Sequence, residues 1–228
     1  MRILEAKAIQ DINHGRVMFI RVQPLNLRAT LTIIINTLSD LSWINTFDEE
    51  YIRDAYLSRA QPTVTEIVNK LTACSDDAVS SDAGEYVVSE LSRSAIIKQM
   101  KYLDIPLAEL YSKQILGNPG FDFHTQNDCE CLIFGEAKYL TRENAYGVGL
   151  KQVVTFINEE KDKKDIPDLR DFCCSRSLDN AMKGIKGFAV GFSAKSTNSE
   201  TLIKNILSND HFKKLLVYQE IILVAVNI

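Results

Sequence analysis

In GFDFHTQNDCECLIFGEAKY, residues 120–139, Asp122 is the lone carboxylate of one apolar pulse, and Glu136 and Lys138 close a second. Residues two apart in a strand share a face, so Glu136 and Lys138 project together while Ala137 points away. In the Phe121-Asp122-Phe123 run, alternation lets the aromatics anchor a core while the carboxylate projects from the opposite face. If the two strands form a hairpin through Gln126-Asn127-Asp128, Asp122 and Glu136 converge. Two carboxylates aimed at one point suit Mg²⁺, or Mn²⁺ in its place, because such ions take oxygen ligands and keep several waters. A cation there would activate water, neutralise a scissile phosphate and stabilise the leaving oxygen. Lys138 beside it would position the water or offset negative charge. Phosphodiester hydrolysis uses all three parts.

The pattern is loose on spacing alone. The chain holds a second such triplet, Glu5-Ala6-Lys7, with no acidic strand upstream, which reads as a strand with one solvated face. His14, His124 and His211 lack ligand-like spacing, and His124 reads as a packing or substrate-contact residue. The five cysteines, at 74, 129, 131, 173 and 174, are poorly spaced for disulfides or a zinc knuckle and read as free thiols. Gly147-Val148-Gly149 lacks the third glycine of a dinucleotide turn, and no GxxxxGK[ST] phosphate loop or Gly-x-Ser-x-Gly elbow is present.

The elements that must position these residues follow from periodicity. Residues 1–80 form an N-terminal α+β region: two β-like pulses, ILEAKAI and RVMFIRV, turn at residues 11–15, and helical patterns follow over 28–46 and 64–74, with Pro62-Thr63 as a helix entry. The polar stretch CSDDAVSSDAG, residues 74–84, marks a boundary. Beyond it, residues 81–228 read as helix, a short helix LAELYSKQIL stopped at Gly117-Asn118-Pro119-Gly120, two strands, a helix over 144–160, a strand KGFAVGFSA, one or two helices, and a buried strand VYQEIILVAVN. This order predicts an α/β fold with a mixed sheet flanked by helices.

The 228 residues, 46% of them hydrophobic, suffice for a sizeable core. The longest apolar runs are too short to span a bilayer, and the N-terminal residues carry Glu5 and Asp11 where a signal peptide would be apolar. The expectation is a cytoplasmic protein with no membrane contact. A net charge of −4 does not advertise a nucleic-acid binder, and Lys161–Lys164, Lys183 with Lys186, and Lys213-Lys214 read as solvated faces.

GFDF, then LIFGEAKY, then LKQVVTFI resembles the core of the PD-(D/E)xK nuclease superfamily over about residues 85–228. Pro119-Gly120-Phe121-Asp122 departs from its strict Pro-Asp pair. More narrowly, AGEYVVSEL and FGEAKY resemble HamA, the nuclease subunit family of Hachiman anti-phage defence systems. The resemblance implies a restriction-endonuclease-like core and an Mg²⁺-dependent DNA endonuclease restrained or delivered by a helicase partner of the HamB kind, with homo-oligomers allowed. It implies a further metal-holding glutamate on the preceding helix, for which Glu85, at the helix start, and Glu90 compete about 140° apart. It also implies a site or substrate contact for Gln152. Two other readings stay open: a stand-alone restriction-type or resolvase-like enzyme, and a catalytically inactive interaction module on the same fold.

Overall fold

Six apolar pulses become the strands of one sheet in this computed structural model, which describes residues 1–9, 16–75, 79–112, 120–141, 145–194 and 197–228. The strands are β1 (Arg2–Ile9), β2 (Arg16–Gln23), β3 (Phe123–Gln126), β4 (Leu132–Lys138), β5 (Lys186–Ser193) and β6 (Glu220–Val226), in spatial order β1-β2-β6-β5-β4-β3. The four inner strands run parallel, and β1 and β3 pair antiparallel at the two edges. Helices cover both faces, which is why the inner strands read as nearly unbroken apolar runs. The fold is α/β with a mixed sheet, as the element order predicts.

The helices are α1 (Leu27–Ser39), α2 (Glu50–Thr72), α3 (Ser81–Met100), α4 (Ala108–Tyr111), α5 (Ala145–Asn158), α6 (Lys161–Asp165), α7 (Ser175–Met182), α8 (Ser199–Ser208) and α9 (Asp210–Leu215). Strand alternation sorts the core into two layers. Ile133, Ala137, Ile222 and Val224 meet α1, α2 and α3, while Leu132, Phe134, Leu223 and Val190 meet α5, α8 and α9. Side-chain caps start several helices: Asn26, Ser80 and Asn198 accept from Ala29, Ala83 and Thr201 N–H. Among the described residues no helix is long and apolar enough to cross a membrane.

Several expectations need correction. Residues 1–80 do not form a core of their own: β2 pairs in parallel with β6 along its whole length, and both core layers draw on both blocks. Sequence cannot reveal a strand partner so distant. Pro62 lies inside α2 rather than at its entry. The buried stripe Tyr56, Ala60, Thr63, Val64, Ile67 and Leu71 continues through it, and that burial outweighs the lost backbone hydrogen bond. Of LAELYSKQIL, Ala108–Tyr111 is helical and Ser112 leaves the helix, while residues 113–119, with the expected stop, and the turn at 11–15 lie outside the described residues. Lys186 belongs to no solvated face: it is 6% exposed and paired with buried Asp162.

Candidate active site at the β3–β4 edge

The antiparallel pair β3–β4 places Phe123 opposite Gly135, and one residue earlier the chain leaves the strand in a bend. There Asp122 N–H still donates to Gly135 carbonyl at 2.9 Å, but the next ladder position is filled by its side chain: Oδ2 accepts from Ala137 N–H at 2.6 Å. The carboxylate thereby comes beside Glu136. Because of the bend, Phe121 and Phe123 enter opposite core layers, so their expected sharing of one face does not hold. The convergence of Asp122 and Glu136 does hold, carried by the side-chain bond to Ala137.

Glu136 and Lys138 share a face, as the period of the strand requires. Lys138 Nζ lies 3.1 Å from Glu136 Oε1 and donates to Glu85 Oε1 at 2.8 Å. Two glycines make this geometry possible. A Cβ on Gly84 would lie 2.1 Å from the Tyr139 ring, so only glycine lets the start of α3 come close enough for Glu85 to reach Lys138. A Cβ on Gly149 would lie 2.7 Å from Val190 and 3.5 Å from Lys138 Cγ, so α5 packs directly on the lysine stem.

Burial dominates the electrostatics. Desolvation, opposed by Lys138 and the Ala137 N–H, lifts the Asp122 carboxyl to about 7. Glu136, 1% exposed, is pushed well above the usual carboxylate range by desolvation and then by Asp122. Glu109 on α4 is raised to about 8, again by burial first and by the Asp122 charge second. For Lys138, desolvation works against the ammonium, and Glu136, Glu85 and Asp122 overcome it and raise the pKa. The triplet Glu5-Ala6-Lys7 is an internal contrast. On edge strand β1 its ion pair, at 2.7 Å, is 30% and 43% exposed, and hydrogen bonds from Lys7 and Ser199 lower Glu5. The glutamates of the two triplets carry opposite shifts because one strand is an edge and the other is covered on both faces.

The helix glutamates separate cleanly. Glu90, 2% exposed, uses both oxygens on Arg93, at 2.9 Å each, and accepts from Ser94 Oγ at 2.8 Å. Arg93, itself buried, in turn holds the exposed Asp104 carboxylate and the Ile105 carbonyl. Glu85 instead joins Lys138. Gln152 is half-buried on α5, one turn beyond Gly149.

Two features were missed from sequence. Glu109 lies in a four-residue helical stub, and nothing in its spacing relates it to a strand 13 residues away. Beneath Asp122, His124 is buried between Tyr111, whose hydroxyl lies 2.6 Å from Nδ1, and Asp165, whose Oδ2 is 3.3 Å from Nε2 and accepts from Phe121 N–H. Asp165 closes a helix of sequence KDKKD that reads as solvent-facing.

Asp122 and Glu85 thus act on both Glu109 and Glu136, and among the described residues Lys138 is the ammonium within hydrogen-bond reach of Glu136 and Glu85. Glu136 Oε2 and Glu109 Oε2 are buried with no hydrogen-bond partner among the described residues. Leaving such an atom unpaired costs about 1–3 kcal/mol. Among the described residues no three His, Cys, Asp or Glu side chains are already drawn together as a metal-holding group. Lys138, gripping Glu136 and Glu85, occupies two of the acids. The all-oxygen donor set and the unpaired oxygens fit a hard divalent cation. Compared with models of known protein families, with curated proteins and with solved structures, the chain matches none.

Proposed function

We propose that this chain is a divalent-cation-dependent phosphodiester hydrolase acting on DNA, with a core of the PD-(D/E)xK nuclease type. One observation carries the reading. Asp122, Glu136 and Lys138 meet where the antiparallel edge pair ends, in a buried cluster whose carboxylates outnumber the ammonium bound to them. Asp122 and Glu136, with Glu85, would hold Mg²⁺ or Mn²⁺. The cation, when bound, supplies Lewis acidity and neutralises phosphate charge. Asp122 presents Oδ1 while Ala137 N–H fixes Oδ2. Lys138, its stem clamped under Gly149 and its ammonium steered by Glu136 and Glu85, sits ready to offset charge on the phosphate and orient water. Gln152, on the same helix as Gly149, lines the approach for substrate backbone.

A net charge of −4 and a cluster of acids repel a polyanion, so cations and a partner surface must bring DNA in. This favours an effector subunit delivered by a helicase or other DNA-engaging partner, as in Hachiman-type defence, over a dimer reading DNA by itself. The test is cleavage of supercoiled and linear DNA by the wild type and by Glu136→Ala and Lys138→Ala, with Mg²⁺ and with EDTA, alone and with the partner encoded beside it. The wild type cuts only with Mg²⁺ and neither variant cuts. Equal cleavage by the variants, or none by the wild type in any arm, sinks the assignment and leaves an interaction module.

A further inference from the structure

We infer that Glu109 is a further cation-holding carboxylate of this site, lying outside the motif that suggests the chemistry. The inference rests on the reading of Asp122 and Glu136 as cation ligands. The stub α4 is fixed to the Asp122 strand at both ends. Leu107 bridges Phe123 in antiparallel fashion, and Ala108 N–H donates to the Asp122 carbonyl at 3.0 Å. At the other end Tyr111 Oη lies 2.6 Å from His124 Nδ1, two residues past Asp122. A helix of four residues pinned in this way has little freedom to carry its one carboxylate elsewhere, and Asp122 is the leading charge acting on Glu109.

The unpaired oxygens point to a ligand. Glu109 Oε2 and Glu136 Oε2 come from different elements, both are buried and both lack a hydrogen-bond partner among the described residues, and Glu136 as a residue is 1% exposed. Neither available cation resolves this. Lys138 is committed to Glu136 and Glu85, and Lys70, which also acts on Glu109, is held by Glu66 at 2.7 Å. A hard divalent ion held by Glu109 and Glu136 would give these oxygens a partner and would need no nitrogen or sulfur donors.

Mn²⁺ binding to the full chain is measured by titration calorimetry at pH 7.5 for the wild type, Glu109→Gln, Glu109→Asp and the surface control Glu200→Gln, exposed on α8, with circular dichroism to verify folding. Glu109→Gln is expected to weaken Mn²⁺ by about tenfold or more, the size seen when a group at a metal site is lost, Glu109→Asp by less, and Glu200→Gln not at all. Unchanged affinity in a folded Glu109→Gln overturns the inference and leaves the cation reading of Asp122 and Glu136 standing. Should Glu109→Gln fail to fold, unchanged affinity in Glu109→Asp overturns it equally. No Mn²⁺ binding by the wild type overturns both.

Discussion

Replacing Asp122 with Asn should stabilise the protein at pH 8 and do so by less than half as much at pH 5. The folded-state carboxyl titrates near 7 against an ordinary value of 3.8, so the native state binds the proton more tightly than the unfolded chain. Stability from this group is full below pH 4 and is lost as pH rises through about 7. At about 1.4 kcal/mol per pH unit, the interval from 3.8 to about 7 amounts to about 4 kcal/mol at pH 8. Glu109 and Glu136 share that cost, because removing one charge relieves the others, and Asn gives up part of the attraction to Lys138. A gain of about 2 kcal/mol remains, or about 4–8 °C in Tm for a chain of this size. Asn can still accept from Ala137 N–H, so the bend survives. Thermal unfolding in EDTA at pH 5 and pH 8 reads the effect, and Mg²⁺ added at pH 8 should raise the wild-type Tm while leaving the variant unmoved. Equal shifts at both pH values, or a loss at pH 8, would refute the buried-acid account.

Glu85→Gln and Glu90→Gln should part company: the first abolishes cleavage with little loss of stability, whereas the second breaks the buried pair with Arg93 and costs about 3–5 kcal/mol in urea unfolding. Lys138→Met should eliminate cleavage yet bind Mn²⁺ at least as tightly as the wild type by calorimetry, since the ammonium competes for Glu136 and Glu85. Weaker binding would contradict that competition. Gly84→Ala ought to destabilise by about 1–3 kcal/mol through overpacking against Tyr139. Helix propensity alone demands a gain of about 1 kcal/mol, so the sign of the change in urea midpoint decides.

Period-two patterning made the β3–β4 pair legible, and with it the pairing of Glu136 and Lys138, because side-chain direction in a strand is a local property. The bend at Asp122 was not legible, since it depends on a side chain replacing backbone at Ala137. The clusters Lys161–Lys164 and Lys183 with Lys186 read as solvated faces, yet Lys186 is buried, as are Asp162 within the first cluster and Asp165 beside it, drawn in by partners far along the chain. The two Glu-Ala-Lys triplets make the same point. Nothing within three residues says which strand is covered, and coverage alone decides whether the acid is lowered or raised.

The pairing of β2 with β6 has a consequence for synthesis. Strand β6, buried at every residue, pairs with β2, made about 200 residues earlier, and β5 and then β4 lean on it. At about 5–20 residues per second, roughly 10–40 s separate the translation of β2 from that of β6. Until then the sheet lacks the strand that joins β2 to β5. The proposed hydrolytic site would accordingly be complete only once β6 has been made.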